Sequence, residues 1–219
     1  MGQEKLVIWG TSGHALVVTD IIQLQGKYKI AGFLDDINKE LHGKKLKNYP
    51  ILGGKEKLDF LKKLNIKYLI FGFGDCNARL SLSRIVRSKG FSLCTAIHPG
   101  SIVASDVSIG QGTVITAGAV VNPGSIIGEN VIINTCASVD HDCVVHDGAH
   151  ISPGVNLGGN VTVGRGTWIG IGATIKEKIL IGSHSIIGAG SVVIDNIPDG
   201  VVAYGIPAKV IRKIKPDDT

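Results

Sequence analysis

The sequence predicts a two-part fold, a small parallel α/β domain followed by a parallel β-solenoid, and three observations carry that expectation. From Val103 to Val193 an aliphatic residue returns at every sixth position without an insertion. Near the start, an apolar run from Lys5 ends in Gly10-Thr11-Ser12-Gly13-His14 and passes into a segment of helical spacing. Between the two patterns stands His98-Pro99-Gly100, which places the boundary: residues 1–98 form the first domain and 99–219 the second.

In chain order, the first domain reads as a strand at 5–10, a glycine loop, and a helix over Ala15 to Ile22. Strand, glycine loop and helix open a doubly wound, Rossmann-like unit. A second strand, Lys29 to Leu34, ends in Asp35-Asp36, and a third, Tyr68 to Phe73, ends at Gly74. Helices are expected at Lys55 to Leu64 and Ala78 to Lys89, and a last strand at Ser92 to Ile97. Ligands of such folds gather at the carboxyl ends of the strands, where Ser12-Gly13-His14, Asp35-Asp36 and Gly74 all fall. The loop lets backbone amides and a helix N-terminus approach a phosphate, and an acidic residue after the second strand can accept ribose hydroxyls. The loop is not a full Gly-x-Gly-x-x-Gly, which favours a mononucleotide or nucleotide sugar over a dinucleotide. Composition alone leaves open that Gly13 is only a turn residue and Asp35-Asp36 a solvated loop.

A period of six fits neither a helix nor simple alternation; it fits a short strand followed by a tight turn, stacked into a solenoid. The aliphatic residues are expected to form an internal column. Four residues after them a small or β-branched residue, for example Thr113, Ala119, Ser125, Ala137, Cys143, Ala149, Thr167, Ala173, Ser185 or Ser191, supplies a second inward site. Glycines directly after the aliphatic site, as in Ile109-Gly110, Ile127-Gly128, Val163-Gly164 and Ile181-Gly182, are expected where the turn needs unusual backbone angles. Three faces would close one coil, giving about five coils in all.

The 219 residues are 44% hydrophobic and 19% charged, the profile of a soluble globular protein. No apolar stretch approaches a membrane span, and Met1-Gly2-Gln3-Glu4-Lys5 leads almost directly into a strand rather than a signal peptide, so a cytoplasmic protein with no membrane partner is expected. The net charge of +5 lies largely on lysines in 39–63 and 209–215 without an interleaved aromatic platform, and nucleic acid is not indicated. Cys76, Cys94, Cys136 and Cys143 lack metal-site pairing; Cys136 and Cys143 read as small inward positions, hence buried thiols.

Most outward positions of the solenoid are bland, but Asn134 to Cys143 concentrates polar groups. Acyl transfer from a thioester to an amine or hydroxyl needs a base near neutral pKa, and an imidazole beside a carboxylate supplies one. His141 has that chemistry, with Asp142 or Asp140 as its partner. The thioester oxygen needs hydrogen-bond donors as it gains charge, and Gly158-Gly159, one coil beyond His141, offers unobstructed amides. A zinc enzyme would need a third ligand beside His141 and His146. No histidine lies between His98 and His141, so no metal is expected. A non-enzymatic scaffold would have no use for the His141-Asp142 pair.

The hexads resemble the [Leu/Ile/Val]-Gly-x-x-[small]-x repeat of the left-handed β-helix acyltransferases. The ending Val202-Ala203-Tyr204-Gly205-Ile206-Pro207-Ala208-Lys209 is similar to the closing motif of their acetyl-CoA-dependent members. A domain opening Gly-x-Ser-Gly-His joined to such a helix resembles the sialic acid O-acetyltransferase family and its relatives, the bacterial nucleotide-amino-sugar N-acetyltransferases of the perosamine or bacillosamine type. The resemblance implies a left-handed coil, a homotrimer with active sites between neighbouring prisms, and acetyl-CoA as cosubstrate. It assigns Ser12, Gly13, His14, Asp35, Asp36 and Gly74 to the nucleotide sugar, and His141 to the general base, with Asp142 where the family usually carries Glu. It also assigns His150, Ile171 and Ala189 to acetyl-CoA, which Gly159, read above as the donor to the thioester oxygen, would contact as well. The expected activity is acetylation of the amino group of a nucleotide-linked amino sugar in surface glycan or glycoprotein sugar synthesis; the alternative is O-acetylation of sialic acid or a related sugar hydroxyl.

Overall fold

The structure, a computed structural model, describes residues 3–215 and Asp218. Met1-Gly2 of the opening segment, and residues 216, 217 and 219 of the second expected domain, lie outside the described residues.

The first domain contains β1 (Glu4–Trp9), α1 (Gly13–Gln25), β2 (Tyr28–Leu34), β3 (Lys45–Leu46), β4 (Tyr49–Gly53), α2 (Leu58–Lys63), β5 (Tyr68–Phe71), α3 (Cys76–Ser88) and β6 (Ser92–Leu93). Sheet order is β3-β4-β2-β1-β5-β6. β1 is apolar throughout its second half because it is central and covered on both faces: Leu6, Val7 and Ile8 have no exposure. Parallel pairing of Trp9 with Leu34 and with Phe71 brings the loops after β1, β2 and β5 to one edge. α1 stops at Gly26 in the left-handed conformation, and Asp75 caps α3 by accepting from the Ala78 amide at 2.8 Å.

Several elements differ from expectation. The hairpin of β3 and β4 was not expected, because its lysine-rich sequence masks a strand that pairs in parallel with β2. The helix expected over 55–64 is a 3₁₀ turn, Lys55–Lys57, running into the shorter α2. The third strand ends at Phe71 rather than Phe73. The strand expected at 92–97 is shared between two sheets: Ser92–Leu93 pairs with β5, while Ala96–Ile97 pairs with Val114–Ile115. The solenoid ladder therefore begins just before the boundary placed at residue 98.

Each solenoid strand is two residues long and pairs in parallel with the strand eighteen residues on, as in Ile132↔His150 and Ile133↔Ile151. Three sheets result. The first face carries Ala96–Ile97, Val114–Ile115, Ile132–Ile133, His150–Ile151, Trp168–Ile169 and Ile186–Ile187. The second runs from Ile102–Val103 to Val192–Val193 and the third from Ser108–Ile109 to Leu180–Ile181. A hairpin, Val201–Gly205 with Ala208–Lys213, extends the first face; its last strand is antiparallel. The expected aliphatic column is buried from Ile115 to Val193, and all ten small inward sites are buried as well. Outward residues Ala96, Val114 and Ile132 join the core of the α/β domain, which therefore sits on the first face.

Two expectations about the turns are corrected. Left-handed backbone falls two residues after the expected glycines, at Gly112, Asn130, Gly166 and His184, for example. Gly110, Gly128, Gly164 and Gly182 are needed for a different reason. A Cβ at Gly164 would stand 2.4 Å from the Ser183 amide of the next coil, so stacking of backbone on backbone excludes a side chain. Cys143 is buried as expected, but Cys136 occupies a left-handed corner and is exposed.

Candidate active site

At the carboxyl edge of the α/β sheet, a cleft of about 190 Å³ is lined by Trp9, Thr11, Ser12, Asp35, Asp36, Asn38, Phe73 and Asp75, among others. Ser12 precedes α1 and donates to the Gly72 carbonyl at 3.1 Å. A Cβ at Gly13 would meet nothing within 4 Å, so the helix start faces open space, as an anion site requires. Gly10, not Gly13, is the loop residue whose conformation demands glycine, with φ +121. Asp35 is buried and accepts from Thr11, from the Ile37 and Asn38 amides at 2.8 Å, and from Asn38 Nδ2 at 3.0 Å. Burial would raise its pKa, but these hydrogen bonds outweigh that and hold it low. Asp36 accepts from Trp9 Nε1 at 2.9 Å and from the Lys55 amide at 2.8 Å. Both carboxylates line the cleft while shaping it from within.

Gly74 and His14 lie where the α/β domain meets the first face of the solenoid. His150 is 7% exposed, stacks on Trp168 with ring centroids 5.5 Å apart, and lies 6.5 Å from the His14 ring. Asn134 Oδ1 accepts from the Thr135 amide at 2.8 Å, which orients the amide group so that Nδ2 donates to His150 Nε2 at 3.1 Å. The Nε2 lone pair is therefore occupied. Burial, then the nearby Arg79 charge, then His14 push the His150 pKa down to about 3; burial and Arg79 push His14 to about 4. Both rings are neutral near pH 7.

His141 is the opposite case. It stands at the corner between the second and third faces, with 56% of its side chain exposed. Asp142, in the left-handed conformation with φ 57, accepts from Nδ1 at 2.9 Å. Asp140 turns instead to the backbone, accepting from the His141 amide at 2.8 Å and from Asn122 at 2.9 Å. Asp142 is thus the ring's partner. Its hydrogen bond, followed by the Asp140 charge, raises the imidazole pKa. With Nδ1 protonated, Nε2 carries the lone pair, and it faces Gly159: a Cβ there would lie 2.6 Å from Nε2. The Gly159 amide makes no hydrogen bond among the described residues.

Ile171 and Ala189 are exposed one coil apart at the corner between the first and second faces, as a long ligand lying along that corner would use them. The sequence-predicted residues therefore form separate groups. Ser12, Asp35 and Asp36 line the cleft, with Gly13 next to Ser12 at the start of α1; His14, Gly74 and His150 meet at the junction; His141, Asp142 and Gly159 share a corner away from both. Sequence reasoning missed Trp9, Thr11, Asn38 and Phe73 at the cleft, and Asn134 and Trp168 around His150. Coil register was the available signal for Trp168, which follows His150 by one full coil.

A parallel α/β domain with an anion-ready cleft, joined to a hexapeptide-repeat β-helix bearing an exposed His-Asp pair, defines the hexapeptide acyltransferase class. Comparison with known proteins narrows it. Residues 5–86 match the PglD N-terminal domain, and residues 160–195 match the bacterial transferase hexapeptide (six repeats). Perosamine N-acetyltransferase from Caulobacter crescentus, solved with CoA and GDP-perosamine, is 36% identical with a TM-score of 0.90, covering 96% of this chain and 97% of that one. The acetyltransferase domain of PglB from Neisseria gonorrhoeae FA1090, solved with acetyl coenzyme A, is 36% identical with a TM-score of 0.89, covering 96% and 100%. UDP-N-acetylbacillosamine N-acetyltransferase of Bacillus subtilis (strain 168) is 37% identical over 116 residues, and the chain spans about half of that curated relative's length, 52%. The chain belongs to the hexapeptide-repeat family of nucleotide-amino-sugar N-acetyltransferases, enzymes that use acetyl-CoA.

Proposed function

We propose that this protein transfers the acetyl group of acetyl-CoA to the amino group of a nucleotide-linked amino sugar, with His141 as general base, in the synthesis of surface glycans or glycoprotein sugars. The observation that carries the reading is the His141-Asp142-Gly159 arrangement: an exposed, carboxylate-oriented imidazole whose free nitrogen stands beside Gly159, a residue whose amide makes no hydrogen bond among the described residues. In this mechanism His141 Nε2 takes a proton from the amine as nitrogen bonds to the thioester carbonyl carbon. The Gly159 amide donates to the carbonyl oxygen as it gains charge. His141, now imidazolium and steadied by Asp142, returns the proton to the departing thiolate as the carbon–sulfur bond breaks. His150, neutral and already bonded by Asn134, orients rather than accepts a proton.

The acceptor would enter with its nucleotide in the cleft, its phosphates at the start of α1, and acetyl-CoA would run along Ile171 and Ala189. The cleft domain covers the first face of the prism, whereas His141 lies at the opposite corner. Bringing them together requires a second chain, which supports a homotrimer with sites between prisms. Exposed apolar residues on the second and third faces, Ile102, Ile126 and Leu180, supply an interface. The four cysteines are free thiols, which supports a cytoplasmic enzyme, and no described helix is long and apolar enough to cross a membrane. The test is a panel of UDP-, GDP-, dTDP- and CMP-linked sugars with acetyl-CoA, following thiol release. Turnover with an amino sugar is expected; release only with hydroxyl acceptors would overturn N-acetylation in favour of sugar O-acetylation.

A further inference from the structure

Arg79 lies in α3 with 1% of its surface exposed. Among the described residues no carboxylate pairs with it. Its guanidinium donates instead to backbone carbonyls from three separated stretches of chain. Nη1 reaches Gly74, and Phe73 at 3.4 Å; Nε reaches Asn130 at 3.0 Å; Nη2 reaches Gly148 at 2.8 Å and Ala149 at 3.3 Å. Burying an unpaired cation is costly, and only several well-placed dipoles offset the loss of water. The flat fork of donors suits that task where a lysine would not, since one ammonium cannot span all three stretches.

The stretches that it joins matter. Phe73 lines the cleft and Gly74 follows it, whereas Asn130 and Gly148-Ala149 belong to successive coils of the solenoid, the second leading directly into His150. The Gly74 backbone stands so close to His150 that a Cβ at Gly74 would be 3.4 Å from the ring. We infer that Arg79 is a positioning residue for the transfer reaction, a bolt that fixes the height of the nucleotide-binding loop above the solenoid and so the place where an acceptor amine arrives. The same cation, after burial, helps to keep His14 and His150 neutral. Cys76, whose Sγ is 3.7 Å from Nη2, has its thiol pKa raised by burial, so it remains an uncharged neighbour.

The inference rests on the acetyl-transfer reading, and wild-type turnover in the same assay tests that reading separately. The full chain would be prepared as Arg79→Lys and Arg79→Met, and folding checked by thermal unfolding. CoA and a nucleoside diphosphate would be titrated one at a time, and kcat measured with the acceptor that the wild type turns over. Each ligand alone contacts one side of the junction, so its Kd should stay within about threefold, while kcat falls roughly 10- to 100-fold through misplacement of the amine. Partial recovery in the lysine variant relative to methionine is expected. Folded variants with wild-type kcat would overturn the inference, as would a loss confined to nucleotide affinity. Failure of both variants to fold would give Arg79 a stability role alone and overturn it equally.

Discussion

At the scale of single residues, His141 and His150 show how burial and partners shift two imidazoles in opposite directions. The hydrogen bond to Asp142 raises the pKa of His141, so under the proposed mechanism the base becomes neutral, and active, only above a value higher than the ordinary one. The acidic limb of kcat/KM should accordingly lie above that of a free imidazole. Asp142→Asn removes the carboxylate, lowers the imidazole pKa and moves that limb to lower pH, with a modest loss of kcat. His141→Ala should cost about 10²- to 10⁴-fold in kcat with little change in KM for acetyl-CoA. A near-normal kcat in His141→Ala, together with loss of turnover in His150→Ala, would assign the base to the other ring. Gly13 permits a separate check. Alanine there meets neither strain nor a neighbour, so Gly13→Ala should keep the wild-type melting temperature while weakening nucleoside diphosphate binding, as calorimetric titration would record.

At the scale of elements, the solenoid was legible because its period is enforced by geometry at every coil. An aliphatic residue at the inward site of each strand, and a small or β-branched one before the next strand, fill the prism axis, and both columns are where the sequence placed them. The glycines were read for the wrong reason. Their neighbours are backbone atoms of the next coil, which no sequence pattern displays. Gly164→Ala tests the corrected reason: its φ is ordinary, yet the new methyl would meet Ser183, so overpacking should cost about 1 to 3 kcal/mol by denaturant unfolding. In the α/β domain the main elements were legible from strand-loop-helix order, while β3 and β4 were hidden by their lysines and the strand at 92–97 by belonging to two sheets at once. Of the candidate site, His141, Asp142 and Gly159 were found because the fixed coil length puts position 159 above 141. Asn134 and Arg79 were not. An arginine on an amphipathic helix reads as solvated until the packing of two domains shows it enclosed.

At the scale of the whole molecule, a cleft on the first face and a base at the opposite corner make an isolated chain incomplete under the proposed mechanism. Sedimentation should give a trimer, and a fully active monomer would count against both the trimer and the shared site. Mixed assemblies offer a sharper measurement. His141→Ala and a cleft-deficient variant, each inactive alone, should regain part of the wild-type rate when unfolded and refolded together, because some sites would pair one intact cleft with one intact base. No recovery would point to sites built within one chain. The closing hairpin bears on assembly along the other axis. Every earlier strand of the prism pairs in parallel, and a ladder of that kind can template another chain at its open end. The strand Ala208–Lys213 reverses direction and presents exposed Lys209, Arg212 and Lys213. A chain ending at Gly200 would present Ile186–Ile187 bare, and light scattering should then show growth with time and concentration into filaments. On the first face, the reversed and charged closing strand would thus act against end-to-end growth of the prism.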